Sequence, residues 1–105
     1  MTVSRISGEV LCALGKKEYI LKPTFGALMQ VELKTETSIL KLAADALEGQ
    51  LKLSHALIIL KCCMQEDVSE DVLSDMILEQ GLAAVMPVVH SLMAVVLEGT
   101  LTLDD

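Results

Sequence analysis

The sequence predicts a mainly α domain of the α+β class: an N-terminal β-hairpin packed on a bundle of about five short helices. Three observations carry this. Apolar residues make up 52% of the 105 residues but aromatics only 2%, so the core must be built from Leu, Val, Ile, Ala and Met. Apolar residues alternate with a period of two before Pro23 and recur at helical spacing after Thr24. Isolated Ser and Gly residues then punctuate the helical part as starts and stops. At this length the chain reads as one domain, 1–105, with a hairpin over 8–22, a helical body over 24–98 and a loose tail over 99–105.

The first strand is expected over Glu9–Leu14 and the second over Glu18–Lys22, joined by Gly15-Lys16-Lys17. Val10, Cys12 and Leu14 share one face, as do Tyr19 and Leu21. A two-stranded hairpin is marginal alone and must rest on the helices. Thr24 suits an N-cap, and Pro23 holds the chain extended before it. Phe25, Leu28, Met29 and Leu33 follow at helical spacing, and Phe25, the only Phe, is expected to pack between hairpin and helices. Gly26 weakens a helix, which suggests close approach of another backbone there.

Ser38 caps a second helix with a stripe of Ile39, Leu40, Ala43, Ala44 and Leu47, and Gly49 ends it. Ser54 opens a third helix, apolar almost all round and therefore central. Ser69 opens a fourth, with Glu70 and Asp71 in the first turn where the helix dipole favours acids. Val72, Leu73, Met76 and Ile77 should face inward, and Gly81 ends the helix. A fifth runs from about Leu82 to Glu98 and stops at Gly99. Pro87 lies inside it, so this helix is expected to start later or to kink.

Charge and cysteine content narrow the function. The formal charge of −7 disfavours nucleic acid and anionic lipid, which need Lys and Arg against phosphate. Three cysteines, two of them adjacent at Cys62 and Cys63, imply no disulfide framework and fit a reducing cytoplasm. The N-terminus MTVSRISGEV lacks the apolar region of a signal peptide. The longest apolar run, Leu82–Leu97, falls short of the ~20 residues of a membrane helix and contains Pro87, His90 and Ser91. No membrane partner is expected.

No catalytic set emerges. His55 and His90 are the only histidines. Cys62-Cys63 with His55 does not match the spacing of zinc ligands, which come in separated pairs. No turn presents a nucleophilic serine and no glycine-rich loop cradles phosphate. Neither an enzyme, a cofactor nor a metal is expected. What remains is an interaction protein, with enough apolar surface to predict a homo-oligomer.

The fifth helix shows two apolar rows. Val85, Val88, Leu92 and Val95 form one, β-branched and rigid as a core face tends to be. Met86, Val89, Met93 and Leu97 form the other, with His90 beside it. Flexible thioethers repack against varied partners, so Met86, Val89 and Met93 are the candidate partner-binding residues. The same row also reads as Met filling gaps in a core.

The stretch GEVLCALGKKEYILKPTFGALMQVE, Gly8–Glu32, resembles the N-terminal signature of the gene transfer agent tail assembly chaperone family of short phage-tail proteins. Tyr19, Leu21, Lys22, Pro23, Thr24, Phe25, Gly26, Ala27 and Leu28 match its pattern, whereas Ser7 and the glycine-free break KTETS depart from it. The resemblance implies a phage tail assembly chaperone of a prophage or gene transfer agent. Such a protein holds the tape-measure protein or another tail protein in the bacterial host cytoplasm. It implies no catalytic residues. A structural subunit of the tail tube is the alternative, and an unrelated helical adaptor a third.

Overall fold

The computed structural model describes residues 9–98. Strands β1 (Val10–Leu14) and β2 (Lys17–Leu21) pair antiparallel, Val10 opposite Leu21, Cys12 opposite Tyr19 and Leu14 opposite Lys17. Gly15 takes φ +68° in the tight turn, a backbone conformation that favours glycine. The period-two pattern places Val10, Cys12, Leu14, Tyr19 and Leu21 on one buried face, as expected.

The hairpin is tied to the helices by backbone as well as by side chains. Lys22 N–H donates to the Cys63 carbonyl at 2.8 Å, and Gln65 N–H donates to the Ile20 carbonyl at 3.0 Å. These bonds make a bridge between Leu21 and Met64, just beyond the third helix. The Gly15 N–H donates to Gln80 Oε1 at 3.1 Å, and Tyr19 Oη donates to Met76 Sδ at 3.7 Å. The hairpin therefore docks through β2 and its turn, and not through Pro23–Gly26.

Five helices follow: α1 (Phe25–Thr35), α2 (Ile39–Leu47), α3 (Leu53–Cys63), α4 (Glu70–Gln80) and α5 (Leu82–Glu98). The predicted caps at Thr24, Ser38 and Ser69 are present, each side-chain oxygen accepting an amide of the first turn. The break KTETS closes α1 without glycine: Glu36 itself takes φ +54° and its N–H donates to the Glu32 carbonyl. The Glu32 carboxylate then accepts the Ile39 N–H at 2.8 Å, capping α2 from the preceding helix. Helix α3 begins at Leu53, after Lys52, with no side-chain cap, earlier than the expected start at Ser54.

Helix α5 is continuous from Leu82 through Pro87, neither starting later nor broken there. Proline removes the amide that would bond the Ala83 carbonyl. That loss is tolerable because Ala83, Pro87 and His90, at i, i+4 and i+7, all lie on the exposed strip of α5, where water can reach a freed carbonyl. Much of the rest of the helix is covered. It packs against α2, α3, α4 and β1, and it buries Val85, Val88, Val89, Leu92 and Met93. Both rows feed the core: in the row expected to be open, Val89 and Met93 have no accessible surface, and only Met86, in part, and Leu97 reach the outside. A helix enclosed on three sides has no spare apolar row.

Helix α1 departs furthest from expectation. It packs mainly on α3 through Val31, with Ala27 against the core. Phe25 is 80% exposed and is not a core residue. A Cβ built on Gly26 meets nothing within 4 Å, so no neighbouring backbone requires that glycine. In α2 the buried residues are Leu42 and Ala43, while Leu40 and Leu47 of the expected stripe are exposed. In α4, Leu73 is buried but Val72 faces out. The end at Gly99 and the tail fall outside the described residues. Among the described residues no helix is long and apolar enough to cross a membrane.

These placements set two substitutions against each other. Leu92→Ala, at a fully buried position on the helix that others enclose, should lower unfolding stability by about 2–5 kcal/mol. Phe25→Ala should change it by no more than about 0.5 kcal/mol. Urea midpoints of the two variants decide between this arrangement and a core built on Phe25.

Candidate interaction surfaces

The described residues present two separate apolar surfaces. The first is a ridge on α1. Phe25, Met29 and Leu33 recur every fourth residue and are 80%, 50% and 69% exposed. Val31, fully buried against the core, is two residues from Met29 and Leu33, so roughly 200° around the helix. Helix α1 is thus apolar on both its inner and outer faces, and the outer one is left open among the described residues.

The second is a groove of about 210 Å³ where α3, α4 and α5 meet. Leu53, Leu57 and Leu60 from α3, Ile77 and Leu78 from α4, and Leu82 and Met86 from α5 line it, with Ser54 and Ser74 as its hydroxyls. Leu53 is 60% exposed and Leu78 72%. These leucines would close a core in a larger protein and here form the open walls of a channel.

The groove exists because of the corner between α4 and α5. The two helices meet at 115° across a single residue, Gly81. Its N–H donates to the Ile77 carbonyl, ending α4, while its carbonyl accepts the Ala84 and Val85 amides, starting α5. At φ 96° and ψ 139° this backbone is one that residues with a Cβ rarely adopt.

A wider cleft of about 610 Å³ lies on the other side of α5, against Ala46, Gly49 and Leu51, with Pro87 and His90 on its α5 wall. Met86 lines both clefts and stands between them. Of the three residues singled out on α5, only Met86 is partly exposed. Val89 touches the wider cleft from the core, and Met93 is fully enclosed. The open apolar surface lies on the flank of α5 toward α4 and on α1.

Charge is divided along the chain. All eight Lys and Arg residues fall within residues 1–61, together with six of the carboxylates, a balance of +2. Residues 62–105 hold the remaining nine of fifteen carboxylates and no Lys or Arg, a balance of −9. Helix α4, one wall of the groove, carries Glu70, Asp71, Asp75 and Glu79, all exposed. Asp71 and Asp75 precede Leu78 by seven and three residues, positions on the same helix face. Lys61 on α3 is engaged with Asp67 at 3.3 Å, and Lys52, at the start of α3, is the basic residue beside the groove. This division could have been read from the sequence. The ridge could not, because periodicity does not say which of two apolar faces is inside.

The thiols are enclosed or half-enclosed. Burial pushes Cys63 up to about 12 and raises Cys12 and Cys62 above the ordinary thiol value. Among the described residues no three His, Cys, Asp or Glu side chains stand close enough to share a metal ion.

A small, mainly helical chain with two apolar surfaces and an acidic groove wall matches a known family model over residues 7–99, nearly the whole length. The chain belongs to the phage tail tube protein, GTA-gp10, family. This places it among phage and gene transfer agent tail proteins, as the hairpin and its Pro-Thr-Phe-Gly-Ala-Leu continuation suggested. No curated protein and no solved structure matches the chain.

Because Gly81 sets the angle of the groove, Gly81→Ala should cost about 1–3 kcal/mol. Replacing Gly49, at φ +73° but outside the groove, tests for a general glycine effect. Circular dichroism melts of the two variants measure the stability cost. A loss of partner capture with Gly81→Ala alone, measured below both melting transitions, ties the corner to the groove.

Proposed function

We propose that this member of the family is a tail assembly chaperone that holds an amphipathic helix of another tail protein, the tape-measure protein, while the tail is built in the host cytoplasm. The observation that supports this is the α3–α4–α5 groove. It is an open channel walled by Leu, Ile and Met, whose aliphatic side chains adapt to a helix laid along them. Its acidic α4 wall favours a client helix with Lys or Arg flanking the apolar stripe. No reaction is part of this role.

The second reading is a structural subunit of the tail tube, favoured by the family's designation as a tail tube protein. A subunit stays in the particle and a chaperone leaves it.

Co-expression of the tagged chain with a tape-measure protein tests the proposal. The wild-type chain should retain the client on a pull-down. Leu78→Asp, at an exposed position on the groove wall, should reduce retention on the order of tenfold or more without loss of helical signal. Equal capture by both proteins places the client elsewhere. Mass spectrometry of purified particles separates the roles: the chain present at subunit stoichiometry makes it a tube component.

A further inference from the structure

We infer that the outer edge of β1 is a strand-acceptor site, and that its occupant is the chain's own segment Thr2–Ile6, folded back so that the hairpin becomes a three-stranded sheet. The register of β1 and β2 fixes which backbone groups lie on that edge. On β2, the Ile20 carbonyl accepts from Gln65 N–H, and Lys22 N–H donates to the Cys63 carbonyl, so these groups point away from β1. In an antiparallel pair, opposed residues alternate between those bonded to each other and those whose groups point outward on both strands. Leu11 stands opposite Ile20, and Ala13 opposite Glu18. The N–H and C=O of Leu11 and Ala13 therefore point outward from β1, and no described residue bonds to them. The strand VLCAL also lacks the charge, proline or bulge that keeps an edge strand from pairing.

The residues before β1 suit this edge in turn, phase and composition. Eight of them, Met1–Gly8, precede the described part, and the last two are Ser7-Gly8, a dipeptide that marks turns. A two-residue loop there sets Ile6 opposite Glu9, Ser4 opposite Leu11 and Thr2 opposite Ala13. The pair that closes such a loop is bonded and the bonding then alternates, so Ser4 and Thr2 meet the open groups of Leu11 and Ala13. A loop one residue longer would aim the segment at Val10 and Cys12, whose groups already face β2. Opposed residues share a face of the sheet. Val3, opposite Cys12, thus adds an apolar side chain to the buried face, and Thr2 and Ser4 lie on the outer one. Arg5, opposite Val10, stands at the sheet margin, where its long stem carries the charge to water. Thr2, Val3 and Ile6 are β-branched, as strands favour. A third strand also supports a hairpin that is marginal with two.

Amide hydrogen exchange followed by NMR on the full chain tests this. The Leu11 and Ala13 amides should exchange on the order of 100-fold or more slower than free amides. Close Hα–Hα contacts should join the non-bonded pairs, Val3 with Cys12 and Arg5 with Val10. Two proline substitutions separate strand pairing from mere coverage. Ser4→Pro removes an N–H aimed at Leu11 and should return both edge amides to the free rate. Val3→Pro removes one aimed away from β1 and should leave both protected. The amides of α5 report that the body stays folded in each variant. Free exchange of Leu11 and Ala13 in the wild-type chain overturns the inference. Protection that survives Ser4→Pro overturns it as well: if that protection falls on dilution, a second copy holds the edge, and if it falls on deletion of residues 99–105, the C-terminal segment does.

Discussion

Helix α5 is the constraint from which the rest of the arrangement follows. It has no charged residue before Glu98, and its polar side chains, His90 and Ser91, adjoin a narrow strip with Ala83 and Pro87. Such a helix cannot face water on a broad side, so α2, α3, α4 and β1 are gathered around it. Once those four elements are committed, α1 packs mainly onto α3 and keeps an apolar back exposed. The open ridge is thus a consequence of how much of the chain α5 requires for its own burial. The hairpin has a corresponding role. Its apolar face covers part of α5, and the bridge from Leu21 to Met64 joins it to the end of α3, so that strand and helix are held by backbone bonds that no side-chain substitution removes.

Much of this was readable in the residues. The alternation of Val10, Cys12, Leu14, Tyr19 and Leu21 specified the hairpin and its inner face, because a period of two leaves one solution. Thr24, Ser38, Ser69 and Gly81 marked helix ends for reasons local to the backbone. The sidedness of α1 and α5 was not readable, and the two cases failed differently. Along α1, Phe25, Met29 and Leu33 carry larger apolar side chains than Ala27 and Val31, yet the smaller residues face in. Along α5 both rows are apolar and the middle of both is buried, so choosing one as open was a choice the pattern could not support. In each helix the outcome depends on how many neighbours the rest of the chain can supply, a tertiary quantity that periodicity does not contain.

The family assignment and the two surfaces support one another without being the same argument. Membership places the chain among tail proteins. The groove and the ridge are its open apolar surfaces, one concave and one convex. A partner laid over either surface covers exposed leucines. A chain with 52% apolar residues and few charges on its longest helix would otherwise be prone to indiscriminate association.

The cysteines carry a different consequence of the same packing. A thiol reacts as its thiolate, and burial holds Cys63 protonated to about pH 12. Cys62, its neighbour in sequence, is only half-enclosed and lies within electrostatic reach of Lys34 on α1 and Lys61. Cys12 is shut beneath the hairpin. The three sulfurs therefore form a graded set of internal reporters, one near the surface, one under the strands and one at the junction that latches them. The order in which alkylating reagents reach them would record the order in which the molecule opens.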